Sequence, residues 1–142
     1  MSEARPTTKF NENLVWMLAK ANRRLETELE RELKPRGVPV EQFWILEALH
    51  ERGPMPMSEL AEAAFVERST MTKIVDRMVA AGYVFRAPDA EDRRRINIVE
   101  TDEGTALYKQ LSAISSKLEA QIARKLDEPG TEALRELLGS LG

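Results

Sequence analysis

Two leucine stripes, one at each end of the chain, constrain this fold more than any other feature of the sequence. From about Thr8 to Lys34, the residues Leu14, Leu18, Ala21, Leu25, Leu29 and Leu33 recur every three or four positions. That spacing predicts one apolar face on a single helix. Phe10 and Met17 widen the face near its start, Glu26, Glu28, Glu30 and Glu32 alternate with it toward water, and Pro35 and Gly37 end it. A helix of about 26 residues is roughly 39 Å long. A matching stripe, Leu107, Leu111, Ile114, Leu118, Ile122 and Leu126, follows Thr101 as N-cap, with Asp102 and Glu103 favoured in the first turn by the helix dipole. Pro129-Gly130 is expected to break this helix, and Thr131 to cap a last short one carrying Leu134, Leu137, Leu138 and Leu141. A compact domain of 142 residues does not need two such helices. Stripes of this length at both ends are explained by pairing with a second copy, and a symmetric dimer is the default arrangement.

Between the stripes the elements are short. Val38-Pro39 opens a helix that carries Phe43, Trp44, Leu46, Ala48 and Leu49 and ends near Glu51, before Gly53-Pro54. Met55-Pro56-Met57 is extended at best. Ser58 is the expected N-cap of a helix with Leu60, Ala61 and Ala64 on its apolar side. After Phe65-Val66 a further helix shows Ile74, Val75, Met78 and Val79 on one face, and Gly82 closes it. Tyr83–Ala87 and Ile96–Val99 read as strands around a polar loop, Pro88–Arg95. The order helix, short helix, turn, helix, hairpin is a helix-turn-helix with a β-wing. The expected fold is mainly α with a small β-wing. Residues 37–100 form the winged helix-turn-helix, and residues 1–36 and 101–142 a helical dimerisation region.

Composition removes whole function classes. There is no cysteine, so disulfide scaffolds, thiol catalysis and cysteine-ligated zinc are excluded. A single histidine, His50, excludes metal sites and mechanisms that need several. No Gly-rich phosphate loop points to a nucleotide, and no cofactor or metal is expected. Ser115-Ser116 lies on a helical stripe with no histidine or acid in a catalytic context, which argues against an enzyme. No apolar run approaches the roughly 20 residues of a membrane span. Met1 to Lys9 carries charge and a proline with no apolar core behind it, so a cytoplasmic protein is expected.

The motifs in the middle of the chain resemble a known family. Gly37-Val38-Pro39-Val40-Glu41-Gln42-Phe43, Ser58-Glu59-Leu60-Ala61, Ser69 to Met78, Gly82-Tyr83-Val84-Phe85-Arg86, Asp92-Arg93-Arg94-Arg95 and Thr101-Asp102-Glu103-Gly104 stand in the order and spacing of the winged-helix core of MarR (multiple antibiotic resistance regulator) proteins. The serine-leucine-alanine helix start is weak by itself; the whole series is specific. Phe65 departs from the pattern, since many such turns carry a small residue there. The resemblance implies a homodimeric DNA-binding transcriptional regulator, usually a repressor, released from a pseudo-palindromic operator by a small aromatic or phenolic acid or a related acyl thioester. The alternative is a dimeric winged-helix adaptor that binds protein in place of DNA.

The residues themselves suit double-stranded DNA. Arg68, Ser69, Thr70, Thr72 and Lys73 put short polar and basic side chains at the start of the second helix, the end that enters a major groove. Hydroxyls reach phosphates or bases, and threonine methyls meet thymine methyls. Arg77, one turn on, is placed for a phosphate. Ser69 has a second reading as a helix cap, and Arg77 one as a partner of Asp76 or Glu67. Arg93, Arg94 and Arg95 crowd the loop of the hairpin, where an arginine suits a narrow minor groove. By resemblance Asp92 and Arg94 match the paired residues of the family's wing; Asp92 orients an arginine or fixes the loop. Arg86 either holds a phosphate or braces the wing.

The resemblance also implies an effector pocket between the dimer helices and the winged domain. Phe10, Trp16, Met17, Phe43, Trp44 and His50 are its candidates, with ordinary core as the competing reading for Phe43 or Trp44, and a dipole-favoured helix-end position for His50.

The net charge of −3 opposes a DNA partner only as a sum. Residues 52–100 carry eight bases against eight acids, and the acid excess lies in the flanking helices. What matters for DNA is where the bases gather, at the helix start and the wing tip.

Overall fold

The computed structural model describes residues 9–142; the sequence reading of residues 1–8 lies outside them. Lys9 leads into a single tight turn, Phe10–Glu12, and helix α1 spans Leu14–Leu33. The predicted start at Thr8 is therefore too early. Asn13 is the reason: its side chain accepts the Trp16 N–H at 3.1 Å and caps the helix. Pro35 sits in a short turn, Lys34–Arg36, that ends at Gly37 with φ 68°, a backbone that favours glycine.

Helix α2 (Val40–Arg52), strand β1 (Met55–Pro56), helices α3 (Met57–Ala63) and α4 (Arg68–Ala80), and strands β2 (Val84–Pro88) and β3 (Ile96–Glu100) follow. They form a winged helix-turn-helix. The sheet is antiparallel in the order β1-β3-β2, with Met55 opposite Ile98 and Phe85 opposite Val99. Met55-Pro56 thus adds a third strand to the hairpin. It also displaces the expected cap: α3 starts at Met57 directly from the end of β1, Pro56 occupies the N-cap position, and Ser58 lies inside the first turn. Pro88 pairs with Ile96, so the wing loop is residues 89–95 and not 88–95.

Helix α5 spans Asp102–Leu141 and is kinked at Asp127, whose φ is 59°. The break falls two residues before the expected Pro129-Gly130. Asp127 caps the segment after the kink, its Oδ1 accepting the Gly130 N–H at 2.8 Å. Pro129 then sits in a first turn, where a missing N–H costs nothing. Thr131 is not the cap; its hydroxyl donates back to the Asp127 carbonyl at 2.6 Å.

The core occupies the middle of the molecule. Leu33, Phe43, Ile45, Leu46, Leu60, Met71, Val75, Met78, Ile98 and Leu111 are fully buried in it. It takes in only the last part of α1, through Leu29 and Leu33, and the first part of α5, through Tyr108 and Leu111. Arg36 Nη1 donates to Gln110 Oε1 at 2.9 Å and ties the two flanks where they enter the core. Further out, Leu14, Val15, Leu18, Leu25, Leu137, Leu138 and Leu141 are exposed, Leu14 and Leu141 each at 73%. No helix among the described residues is long and apolar enough to cross a membrane.

Candidate nucleic-acid interface

The interface begins with the periodicity of α4. Met71, Val75 and Met78 are buried, and Ile74 and Val79 pack beside them. Three- and four-residue spacing then forces Arg68, Ser69, Thr72, Lys73, Asp76 and Arg77 outward, and Thr70 is exposed with them. Glu67 is the N-cap of α4 and makes no side-chain cap. Ser69 sits two residues inside the helix, which removes its reading as the cap. Arg77 forms no ion pair among the described residues, so neither Asp76 nor Glu67 claims it.

Asp76 has a different partner. Arg86 on β2 donates to Asp76 Oδ1 at 2.6 Å. This contact is the bracing one of the two readings of Arg86: it links β2 of the wing to α4. The pair is partly exposed, so its energetic worth is small; its geometric effect is to link the two elements that carry the basic residues.

The wing loop is built around the Asp89 carboxylate. Asp89 Oδ1 accepts the N–H groups of Glu91 at 2.8 Å and Asp92 at 3.3 Å, and Oδ2 accepts the Asn97 side-chain amide at 3.0 Å. The Asp89 N–H in turn donates to the Arg95 carbonyl at 2.8 Å. Hydrogen bonds from the Glu91 N–H, then the Asn97 side chain, hold the Asp89 carboxyl below its ordinary range. The signal in the sequence was an aspartate at the start of a tight loop, a residue that bonds its own backbone two positions on. Asp92 accepts the N–H of Arg94 at 3.1 Å and its Nε at 3.3 Å, and so aims a side chain that is 93% exposed. Arg95 turns back toward Glu59 on α3, at 3.6 Å. Arg93 forms no ion pair among the described residues.

The base of the wing is held by one tight junction. Thr101 Oγ1 donates to the Gly82 carbonyl at 2.6 Å and accepts the Gly104 N–H at 3.0 Å, while the Thr101 N–H donates to the Tyr83 carbonyl at 3.1 Å. A Cβ on Gly104 would collide with that same Tyr83 carbonyl oxygen. The Thr101-Asp102-Glu103-Gly104 motif therefore joins the end of α4, the start of β2 and the start of α5.

Behind the helix-turn-helix, a cavity of about 670 Å³ opens between α1, α2, the α3–α4 turn and α5. Leu25, Leu29, Trp44, Phe65, Leu118 and Ile122 supply its apolar wall, and Asn22, Glu26, Ser115, Glu119 and Arg135 its polar groups. Arg135 bonds Glu119 at 2.6 Å and lies 3.5 Å from Glu132. Of the predicted pocket residues only Trp44 lines this cavity. Phe43 is closed core, in contact with Trp44 at 5.1 Å between ring centres. Phe10 packs on Trp16 at 5.0 Å near the start of α1, where Lys20 lies over the Trp16 ring; Met17, one residue on, does not line the cavity either. His50 stacks on Tyr108 at 4.3 Å, with Nδ1 3.4 Å from Glu100 Oε1, at the foot of the wing. Leu25, Phe65, Ser115 and Arg135 line it without having been pocket candidates: the sequence reading placed Leu25 and Ser115 on helical stripes and Phe65 in the turn.

Known proteins share this fold. A family model described as the MarR family matches residues 36–95. The transcriptional regulator PecS of Dickeya dadantii is 30% identical over 129 residues, 89% of this chain and 78% of that protein. The transcriptional repressor IacR of Pseudomonas putida is 30% identical over 123 residues, 87% of this chain and 74% of that protein. The solved structure of NadR in complex with 4-hydroxyphenylacetate superposes with a TM-score of 0.83 at 27% identity, covering 96% of each chain. The outward row of α4, the arginine wing locked to it and the identities with these regulators place the chain in the MarR family of transcriptional regulators.

Proposed function

We propose that the protein is a homodimeric, sequence-specific DNA-binding repressor, released from its operator by a small aromatic or phenolic acid or a related acyl thioester. The observation that carries this reading is the Arg86–Asp76 contact, which fixes the basic and hydroxyl row of α4 relative to the wing arginines. Arg68, Ser69, Thr70, Thr72 and Lys73 enter the major groove, Arg77 meets a phosphate, and Arg94 enters the minor groove. Arg93 and Arg95 add positive charge at the wing, and Asp92 holds Arg94 without touching DNA. Within residues 1–36 and 101–142, the exposed Leu14, Leu18, Leu137, Leu138 and Leu141 pair with a second copy. IacR is itself a repressor, which supports repression here.

The cavity behind the helix-turn-helix supports an aromatic acid as effector. Its wall suits a ring, Asn22 and Ser115 suit a phenol, and Arg135 offers a guanidinium to a carboxylate that displaces Glu119. NadR, of the same fold, holds 4-hydroxyphenylacetate.

The test is selection of duplexes from a random pool, followed by fluorescence anisotropy against salt. A pseudo-palindromic site should emerge with half-sites about 10 base pairs apart, and affinity should fall steeply with salt. Arg94→Ala should weaken specific binding about 10-fold or more; unchanged specific binding would remove the wing assignment. Titration with 4-hydroxyphenylacetate and its coenzyme A thioester tests the effector separately.

A further inference from the structure

Phe65 stands where a helix-ending turn ordinarily takes glycine. Its φ is 59°, in the left-handed region that costs a side chain with a Cβ about 1–2 kcal/mol. The turn around it is a complete Schellman motif: the Phe65 N–H donates to the Glu62 carbonyl at 3.3 Å and the Val66 N–H to the Ala61 carbonyl at 2.9 Å. Both neighbours are anchored, Ala64 buried in the core and Val66 packed against it. The ring itself is 87% exposed, so burial does not repay the strained backbone. It lines the 670 Å³ cavity on one side. On the other it lines a second cleft of about 660 Å³, with Glu62, Arg68 and Ser69. Two residues later the Glu67 carbonyl accepts the Thr70 and Met71 N–H groups, each at 3.0 Å, and starts α4.

We propose that Phe65 is the positioning residue through which filling of the cavity is transmitted to the first turn of α4. An occupant against Leu25, Trp44 and Leu118 presses on the Phe65 ring. The ring swings toward the second cleft, the strained turn relaxes out of the left-handed region, and Glu67, Arg68 and Ser69 shift with it. The strain of about 1–2 kcal/mol offsets part of the cost of breaking the two Schellman bonds, so this turn moves more readily than one closed by glycine. The inference rests on the reading that cavity occupancy governs DNA binding, and it names the residue that links the two.

The experiment fills the cavity from the protein side, so no effector need be known. Ser115→Phe, with the smaller Ser115→Leu as a second filler should the first fail to fold, is made alone and together with Phe65→Gly. Affinity for the selected duplex is read by anisotropy, and hydrogen exchange of the Ser69, Thr70 and Met71 amides gives a readout without DNA. With Phe65 in place, the filler should weaken DNA binding about 10-fold and speed exchange at the start of α4. In the Phe65→Gly background the same filler should do neither, and Phe65→Tyr should restore the response, which a merely structural role would not require. A filler effect of equal size in both backgrounds, or none with Phe65 present, overturns the proposal. A filler response without any binding of 4-hydroxyphenylacetate would remove that acid as the effector and leave Phe65 in its role. Release by 4-hydroxyphenylacetate to the same extent from wild type and Phe65→Gly would do the reverse.

Discussion

The winged core and the flanking helices carry the same leucine periodicity and reach opposite ends. In the core, Leu46, Leu49 and Leu60 are enclosed. In the flanks, Leu14, Leu18, Leu137 and Leu141 are built on the same three-and-four spacing and lie open to water. The core closes because short helices packed at angles, with a sheet across one end, surround each apolar face. The flanks do not close: α1 and α5 face each other at Leu25, Leu29, Leu118 and Ile122 as walls of an open cavity, and the leucines beyond it stay exposed. The difference shows that one stripe pattern serves two tasks. Where neighbours exist within the chain it makes a domain; where they do not, it leaves an exposed apolar face.

Substitutions on the two sides should therefore separate stability from assembly. Phe43→Ala has the largest expected effect, a loss of about 3–5 kcal/mol in denaturant unfolding, because a fully buried ring leaves a cavity. Gly104→Ala comes next, at about 1–3 kcal/mol, since the new methyl meets the Tyr83 carbonyl and must displace the base of the wing. Leu137→Glu with Leu141→Glu should change unfolding of the core by less than about 0.5 kcal/mol, while light scattering shows the mass fall to the 16.1 kDa of one chain. A loss of stability as large as that of Phe43→Ala would erase the distinction between the two regions.

The smaller effects are electrostatic and carry opposite signs. Asp89 has a lowered carboxyl pKa, so its support of the wing is complete above its unfolded value of 3.8 and is lost as pH falls through the lower folded value. The amide resonances of Glu91 and Asp92 should report a midpoint below 3.8. Glu47, on α2 facing α5, is shifted the other way, first by burial and then by Glu51 and Glu119. Its charge destabilises the fold above the raised pKa and not below the unfolded value of 4.5. Glu47→Gln should raise the melting temperature slightly at pH 7 and leave it unchanged near pH 4.

The outward row of α4 and the junction at the base of the wing were legible because short-range rules govern them. The alternation of Met71, Val75 and Met78 with Arg68, Thr72 and Lys73 sets the outward row of α4 whatever surrounds it. Thr101 and Gly82 follow from capping chemistry, and both hold their expected positions. The errors share a cause. Ser58 and Pro129-Gly130 were chosen on local preference, and a longer-range pairing or a better cap overrode each. Met55-Pro56 is drawn into the sheet by Ile98, some forty residues away, so α3 needs no serine cap. Asp127 offers a carboxylate to the backbone, a stronger signal than the proline after it.

The sequence alone determined the class of the protein: a helix-turn-helix with a basic wing, between two stripes too long for a single domain. Periodicity and capping are properties of neighbours along the chain, and they survive without knowledge of the rest. Only the tertiary structure decided which arginine is spent on Asp76, which carboxylate organises the wing, and that the cavity is walled by Leu25, Leu118 and Phe65 and not by Phe10, Trp16 or His50. These depend on residues far apart in sequence arriving at one place, and on a turn in which Phe65 holds a backbone that no spacing rule foretells.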